Sequence, residues 1–412
     1  MPAERRRAYR AVLSRPRVLT TFALSMIGRS AYALVFLPLF YAAQDAASSI
    51  AFAGIAVAAY GAGATFLAPL RAWLIDRAGA QTMLSILVLS FSASLTALAV
   101  ASLVASPAWV VLALAGLAGS VAPPLGPTMR VAWRELLPGR DDRTVGLSLD
   151  SVVEELLYLA GPAVAGLLLA GLAPGYVMLV PAVLVAIGGL LFVRTSSVAQ
   201  MRGGLVRPGA QGAGRALVLD PRFVALLLPA LVAGGISGLV SVAVPAAGAN
   251  LGSTATVGIA LGVFAGGSAV GGLLYGAVRV PGSPVQQLTA LSVLLVVGAS
   301  GLALSPGTTA LVALLGSAGL FFSPVMIVAY LAAPAAAGEH QQNAATTWVN
   351  TSHNLGSTLV SAVAGIAIQH AGIPFAVVVV CGAALGLVLL SALVLRRDPV
   401  GPPAAKEPSA GR

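Results

Sequence analysis

The sequence is dominated by apolar runs of about 20 residues that recur along the whole chain and are separated by short polar breaks. An α-helix of this length spans the roughly 30 Å hydrocarbon layer of a bilayer. Strands of a membrane barrel would be about ten residues long and would alternate apolar and polar residues. The pattern therefore predicts an all-α integral membrane protein. The predicted spans are 18–40, 50–70, 82–104, 110–129, 146–170, 175–193, 222–247, 254–277, 285–304, 308–330, 343–370 and 374–395.

The composition excludes a water-soluble protein, because only 9% of the residues are charged and 58% are hydrophobic. Soluble domains carry roughly 25% charged residues. Cys381 is the one cysteine, so neither a disulfide framework nor a cysteine-based metal site can form within the chain. We expect no metal and no cofactor.

The basic residues predict the orientation. With the N-terminus placed in the cytoplasm, the loops between spans carry Lys or Arg on the cytoplasmic side alone, which obeys the positive-inside rule. We therefore expect a multi-pass protein of the plasma membrane with both termini in the cytoplasm, touching anionic lipids rather than nucleic acid despite its net charge of +10. The basic residues assigned to the inside after span one are Arg71, Arg77, Arg130, Arg134, Arg140, Arg143, Arg194, Arg202, Arg207, Arg215, Arg222, Arg279, Arg396, Arg397, Lys406 and Arg412.

Two halves of six spans resemble each other. Gly54-Ile55-Ala56 recurs as Gly258-Ile259-Ala260, and the glycine and proline pattern of span four recurs in span ten. An even number of spans per repeat gives both halves the same orientation, so two parallel six-helix bundles are expected. The predicted divisions are an N-terminal tail at 1–17, a bundle at 18–193, a linker at 194–221, a bundle at 222–395 and a C-terminal tail at 396–412.

The loop after span two carries a signature. It reads Ala-Trp-Leu-Ile-Asp-Arg-Ala-Gly-Ala-Gln at 72–81. With the six-plus-six organisation, Asp76, Arg77 and Gly79 resemble the Gly-x-x-x-Asp-Arg-x-Gly-Arg-Arg/Lys loop of the major facilitator superfamily. Here Ala72 replaces the first glycine, and Ala80 and Gln81 replace the basic pair. The resemblance implies a loop that braces helix ends and helps to control closure.

Span five contains Gly161-Pro162, which is similar to the core of a Gly-Pro motif in exporting members of that superfamily. The motif's upstream glycines are absent here. A proline inside a helix removes one hydrogen bond and bends the helix, so a packing kink at Gly161 and Pro162 is the alternative interpretation.

Charged residues occur inside the predicted spans at similar depths. Arg29, Glu154, Glu155 and His353 lie nine to eleven residues into their spans, about 14–16 Å from the cytoplasmic side. A charge at that depth is costly and needs a partner or water. We expect Arg29 to pair with a span-five carboxylate, Glu155 or Glu154, in either a structural or a transport role. Asp150 is expected at the cytoplasmic rim, and His353 is either a hydrogen-bonded core residue or a proton or ligand site.

Further polar residues are expected to face a central cavity. On span five, Asp150, Glu154 and Tyr158 share one face because they are four residues apart. The other candidates are Tyr32, Asn350 and Asn354.

The sequence thus predicts a secondary active transporter, a monomer that moves a small organic solute across the plasma membrane by alternating access. No Gly-x-x-x-x-Gly-Lys-Ser/Thr loop occurs, so ATP is not expected to drive it and protons are. The alternatives are a polytopic membrane enzyme, which would need clustered catalytic residues, and a transporter-like scaffold that moves nothing. We expect no enzymatic activity. The resemblance at Gly161-Pro162 implies that the solute is exported.

Overall fold

The computed structural model describes residues 10–201, 217–248, 252–278, 280–304, 307–337 and 341–396. These ranges are almost entirely helical, as expected where lipid gives the main chain no hydrogen-bond partner. The helices of the first part of the chain are α1 (Val18–Ala47), α2 (Ile50–Phe66), α3 (Ala68–Ala78), α4 (Ala80–Leu103), α5 (Ala108–Val121), α6 (Leu125–Leu136), α7 (Arg140–Leu169), α8 (Pro174–Leu184), α9 (Leu190–Val193) and α10 (Ser196–Ala199).

The helices of the second part begin after residue 217. A π-helical turn, Val185–Gly189, joins α8 to α9, and a 3₁₀ turn, Gly301–Leu304, follows α13. The helices are α11 (Pro221–Ala246), α12 (Thr254–Ala277), α13 (Pro284–Ser300), α14 (Thr308–Ala336) and α15 (Gln342–Arg396).

Among the described residues, ten helical stretches are long and apolar enough to cross a membrane. An eleventh candidate arises when α2 and α3, which meet at a bend of 44°, are counted as one span. Large apolar side chains such as Leu89, Val183 and Leu273 are more than half exposed. A soluble protein does not carry so much apolar surface, and in a bilayer this surface contacts lipid.

The longest helix, α15, is interrupted at Gly372. A straight helix of its 55 residues would be about 82 Å long, far more than a bilayer needs. Gly372 adopts φ 81° and ψ 170°, a conformation outside the helical region that glycine reaches without a steric penalty from Cβ. Pro374 follows closely and starts the next helical segment. Gly372 lies between the two spans predicted at 343–370 and 374–395.

The stretch predicted as one span at 110–129 is broken in the structure. Helix α5 ends at Val121 and α6 begins at Leu125. The break follows from Pro123 and Pro124, which lack an N–H and push the preceding residue towards an extended conformation. Ala122 accordingly has ψ 116°.

Two ends of the helical bundle can be distinguished. The Ser49 end is where α1 ends and α2 begins, and the sequence predicts it to be extracellular. The Asp76 end is where α3 ends and α4 begins. Glycine residues bring helices of the first and second parts into backbone contact near the Ser49 end. A methyl group at Gly54 in α2 would lie 2.5 Å from the carbonyl oxygen of Ser361 in α15.

The same kind of contact joins α7 to α12. A methyl group at Gly258 would lie 2.4 Å from the carbonyl oxygen of Pro162, and one at Gly166 would lie 2.5 Å from that of Thr254. Tyr41 of α1 donates a hydrogen bond to the carbonyl oxygen of Pro245 in α11 at 3.4 Å. These contacts close the bundle at the Ser49 end.

The segment predicted as a linker, 194–221, is described at its two edges. Helix α10 lies at the start of it, and Val198 is fully buried there. Arg17 donates a hydrogen bond to the hydroxyl of Ser196 at 3.2 Å, so the beginning of this segment packs on the first part of the chain. Residues 202–216 lie outside the described residues.

A pair of glycines in α5 tests the packing of α2 against α5. A methyl group at Gly119 would lie 2.0 Å from the carbonyl oxygen of Tyr60, whereas one at Gly116 would meet no atom within 4 Å. We expect Gly119→Ala to lower the unfolding temperature of the detergent-solubilised protein, because the two helices must separate. Gly116→Ala is the matched control and should leave it unchanged or raise it, since alanine is favoured over glycine in a helix by about 1 kcal/mol. Equal effects of the two changes would contradict this packing.

Candidate functional site: a charge cluster beside a broken helix

Arg29 lies in the middle of α1, about 16 Å from its first residue, and its side chain is only 3% exposed. Its guanidinium forms ion pairs with two carboxylates of α7. Nη1 lies 2.8 Å from Oδ1 of Asp150, and Nη2 lies 2.5 Å from Oε1 of Glu154. The buried arginine is therefore paired on two sides.

Glu154 has a second basic partner. Its other carboxylate oxygen, Oε2, lies 3.4 Å from Nη2 of Arg130 in α6. Exposure increases along the chain of contacts, from 1% for the Asp150 side chain and 3% for Arg29 to 26% for Glu154 and 56% for Arg130. We call these four residues the charge cluster. It has a buried pair at one end and an accessible pair at the other.

The four-residue spacing on two helices explains how the members of the charge cluster come together. Asp150 and Glu154 are four residues apart and so lie on one face of α7. Gly126 and Arg130 have the same spacing on α6. A methyl group at Gly126 would lie 3.5 Å from the Arg29 guanidinium, an ordinary contact distance, so this part of α6 packs directly beside the guanidinium.

Glu155 and Glu154 were the two carboxylates expected to pair with Arg29, and Glu154 does so. Asp150, expected at the cytoplasmic rim, is buried and also pairs with Arg29. Helix α7 begins at Arg140, so Asp150 lies nearly three turns inside the helix and not at its start. Glu155 follows Glu154 on α7, and its side chain lies outside the described part of the chain.

Tyr32 connects α1 to the broken helix. Its hydroxyl donates a hydrogen bond of 2.5 Å to the carbonyl oxygen of Pro123, which lies in the break between α5 and α6. The same oxygen accepts the N–H of Leu125 at 2.9 Å, so the hydroxyl gives this carbonyl a second hydrogen bond. Tyr158 lies one turn beyond Glu154 on α7 and is 43% exposed.

Arg71 is a second buried arginine, and sequence reasoning placed it on the cytoplasmic side among the loop residues. It is 6% exposed and extends from α3 between the last turns of two helices. Nη1 donates to the carbonyl oxygens of Gly63 at 3.2 Å, Gly119 at 3.2 Å and Ser120 at 2.9 Å, and Nη2 donates to that of Ala64. The ends of α2 and α5 thus share one guanidinium.

This arrangement follows from the chemistry of helix ends. The last carbonyls of a helix lack intrahelical partners and carry the negative end of the helix dipole. A guanidinium has five N–H donors in a planar fork, so it can serve two helix ends at once. The sequence signal for Arg71 is weak: it is one arginine shortly after an apolar run, where the positive-inside rule already accounts for it.

The residues of the predicted gating loop lie at the Asp76 end. Asp76 and Arg77 are in the last turn of α3, and the guanidinium of Arg77 lies over the Trp73 ring at 5.5 Å from its centroid. Gly79 has φ 88° and links α3 to α4. A residue with a side chain would be strained there, which explains a glycine at this position.

His353 lies on α15, apart from the charge cluster in sequence and on the other part of the chain. Its Nδ1 is 3.2 Å from Oδ1 of Asn354, and its ring packs edge-on against Phe322 of α14 with centroids 5.7 Å apart. Its Nε2 is buried and has no hydrogen-bond partner within the described residues. Asn350, one turn earlier, is exposed.

Gly161 and Pro162 belong to an uninterrupted α-helix. A methyl group at Gly161 would lie 2.5 Å from Cβ of Ala33, so this glycine allows α7 to approach α1 next to the charge cluster. The carbonyl of Pro162 contacts Gly258 of α12. The described residues contain no group of three or more His, Cys, Asp and Glu side chains that could hold a metal ion.

Helices that break beside buried charges are typical of membrane transporters. Comparison with known families agrees, because the sequence pattern of the Major Facilitator Superfamily matches residues 18–308 and 226–411. The chain belongs to the major facilitator superfamily. It is therefore a multi-pass membrane protein of a transporter family. No curated protein matches it.

Solved structures share the fold of this superfamily member at low identity. The nucleoside transporter NupG is 14% identical with a TM-score of 0.72, and the alignment covers 92% of this chain and 99% of NupG. A peptide transporter, POT, is 16% identical with a TM-score of 0.73 and coverage of 93% and 95%. A bacterial homologue of the human lysosomal transporter Spinster, in an inward-facing and unoccupied conformation, is 14% identical with a TM-score of 0.61 and coverage of 96% and 94%.

The buried pair of the charge cluster can be tested by double substitution. Arg29→Leu leaves Asp150 without its partner, and Asp150→Leu leaves Arg29 with Glu154 alone. Removing one side of a buried pair costs about 3–5 kcal/mol, whereas replacing both sides with apolar residues costs less. We expect each single change to lower the unfolding temperature in detergent and the double change to recover most of the loss.

The control for this cycle is Arg134→Leu, which removes the same charge from an exposed position on α6. It should leave the unfolding temperature nearly unchanged. Additive losses in the Arg29 and Asp150 double variant would contradict a direct pair.

Arg71 gives a separate prediction. Arg71→Leu removes the hydrogen bonds of the guanidinium to four carbonyls at the ends of α2 and α5, of which those of Gly63 and Gly119 keep a main-chain donor. A hydrogen bond to a charged group contributes about 1.5–3 kcal/mol. We expect a clear fall in unfolding temperature. Arg71→Lys should recover only part of it, because one ammonium keeps the charge but cannot span both helix ends. Equal stability of the Leu and Lys variants would show that the shared cap contributes nothing.

Proposed function

We propose that this protein is a proton-coupled secondary active transporter that moves a small organic solute across the plasma membrane by alternating access. The observation that carries the proposal is the charge cluster. It joins α1, α6 and α7 about 16 Å along α1, and one of its carboxylates, Glu154, is shared by two arginines and partly exposed. Intramembrane ionisable residues of this kind mark ion and substrate pathways.

Glu154 is the group proposed to carry the proton. Its exposed fraction gives water and protons access, whereas Asp150 is enclosed with Arg29. Protonation would remove the negative charge that holds Arg130 and Arg29 together at this point. The two arginines would then be available to a solute, so that proton binding at Glu154 and solute binding at the arginines would affect each other.

The proposed topology has twelve spans. Ten helical stretches of the described residues are long and apolar enough to be spans. In this topology the bent pair of α2 and α3 would form another span, and the interruption at Gly372 would divide α15 into two. The bundles at 18–193 and 222–395 form a parallel repeat around the linker at 194–221. The asymmetry of basic residues supports cytoplasmic termini and a cytoplasmic Asp76 end. The protein would act as a monomer among anionic lipids.

The proposed solute is an amphipathic organic molecule, because the helices around the cluster are apolar apart from a few hydroxyl and charged groups. Tyr32, Tyr158, Asn350, Asn354 and His353 are the proposed polar residues of the central cavity, and Glu155 would add a carboxylate. Related folds transport nucleosides and peptides, so these two classes are useful probes. The resemblance of Gly161-Pro162 to an exporter motif supports the outward direction.

The gating role proposed for Asp76, Arg77 and Gly79 rests on their resemblance to the superfamily loop and on their place between α3 and α4. Arg71 belongs to the same helix as Asp76 and caps α5 next to its break. A displacement of α3 would therefore reach the residues that position the charge cluster. This physical connection supports a link between closure at the Asp76 end and the transport site.

The purified protein in lipid vesicles that contain a pH-sensitive dye tests the proposal. We expect one class among nucleosides, short peptides and apolar organic ions to move protons when added outside. Glu154→Gln should abolish solute-driven proton movement while solute exchange between labelled and unlabelled pools continues, because the amide keeps the shape of the carboxyl but cannot release a proton.

The matched control is Glu135→Gln, which alters an exposed carboxylate of α6. It should leave both activities intact. Solute uptake without proton movement in the unmodified protein would exclude proton coupling, and the absence of uptake for every class would favour a scaffold that transports nothing.

A further inference from the structure

The first turn of α2 is capped from another part of the chain. Its N-cap residue, Ser49, accepts a hydrogen bond from the N–H of Phe52 at 3.2 Å, as N-cap serines commonly do. The N–H of Ile50, which also lacks an intrahelical acceptor, donates to Oε1 of Gln369 at 2.9 Å. Gln369 lies on α15, 319 residues further along the chain.

The cap is part of a tight contact between helices. Gln369 is four residues beyond Gly365, so both lie on the face of α15 that meets α2. A methyl group at Gly365 would lie 3.0 Å from the carbonyl oxygen of Ile50 and 3.1 Å from Cα of Gly54. The side chain of Gln369 reaches the α2 terminus only because the two backbones approach this closely.

The contact between Gln369 and Ile50 can form only while the Ser49 end is closed. In alternating access the first and second parts of the chain rotate against each other, and opening the Ser49 end would separate α2 from α15. The hydrogen bond from Ile50 would then be replaced by one to water. The favourable interaction between the amide oxygen and the positive end of the α2 dipole would be lost.

We propose that Gln369 is a gating residue that stabilises the state closed at the Ser49 end by capping α2 across the interface. The inference rests on the alternating access of the proposed function and on the Gln369 contact, and it holds whether or not protons drive transport because the charge cluster has no part in it. It assigns a function to an exposed polar side chain that lies far from the proposed transport site.

The chemistry of this closure suits repeated opening. At the Ser49 end, Gln369 contacts Ile50 and Tyr41 contacts Pro245 through uncharged groups, and close contacts at glycines accompany them. Water can replace a neutral hydrogen bond at little net free energy. Gln369 therefore biases the equilibrium by a few-fold without locking the end shut.

The distance between the two parts at the Ser49 end tests the proposal. Cysteines at Val104 and Leu304, which are 66% and 83% exposed, would carry nitroxide labels in a Cys381→Ala protein in detergent. Double electron–electron resonance then gives the distribution of distances between the two nitroxides, and from it the ratio of open to closed molecules. A second series carries Gly258→Ala, which hinders the approach of α7 and α12 and brings both states into a measurable range.

We expect Gln369→Ala to raise the open-to-closed ratio about fivefold, the typical effect of losing an N-cap acceptor. Gln369→Glu should keep the ratio at or below that of the parent at neutral pH, because a carboxylate accepts the same hydrogen bond and is favoured at a helix N-terminus. Gln342→Ala removes an exposed glutamine at the other end of the same helical segment and should change nothing.

Two results would overturn the proposal. One is an unchanged ratio for Gln369→Ala in both series. The other is an increase for Gln369→Glu equal to that for Gln369→Ala, which would show that the size of the side chain matters and its acceptor oxygen does not. Unfolding temperatures, recorded in parallel, should agree between each Gln369 variant and its own parent, with or without Gly258→Ala, because Gln369 is exposed.

Discussion

Main-chain groups inside a bilayer must find partners within the protein, and the break between α5 and α6 creates several that have none in their own helix. Two side chains satisfy them. Arg71 serves the carbonyls at the end of α5, and Tyr32 serves the carbonyl of Pro123. Without Arg71 the carbonyl of Ser120 would lose a charged donor, and without Tyr32 the carbonyl of Pro123 would keep only the N–H of Leu125. These two contacts hold the break against α1 and α3. Gly126 and Arg130 lie on α6, so the charge cluster depends on the break.

The cluster also depends on close packing between helices. Gly161 lets α7 approach Ala33 of α1, and this approach brings Asp150 and Glu154 to Arg29. The same helix, α7, contacts α12 through Gly166 near the Ser49 end. One face of α7 therefore holds the buried charges of the first part, and its far end meets the second part. A movement of the second part against the first would therefore displace α7 and, with it, the carboxylates of the cluster.

Much of this architecture could be predicted from hydropathy. Helix α1 begins at the predicted Val18, and α11 begins one residue before the predicted 222. Counting residues from the predicted starts of the spans also predicted that Arg29 would meet a carboxylate of span five. The same count put Asp150 near the start of its span, at 146, because the polar first turns of α7, from Arg140, give no apolar signal.

Other features had no local signal. Prolines occur within several helices here, including Pro162 in α7 and Pro229 in α11, so Pro123 and Pro124 did not by themselves predict a break. Arg71 has the sequence context of an ordinary loop arginine, and its burial depends on where the ends of α2 and α5 meet. The contact between Gln369 and Ile50 joins residues that only the packing of α2 on α15 brings together.

The composition of the charge cluster has an electrical consequence. Two arginines and two ionised carboxylates carry no net charge between them. A membrane potential does work of about 2.3 kcal/mol per elementary charge per 100 mV, so it exerts little net force on this cluster when both carboxylates are ionised. A single added proton would make the cluster a monovalent cation. Under the proposed proton coupling, the potential would act on the protonated form of the protein and leave the unprotonated form free to change conformation at any voltage.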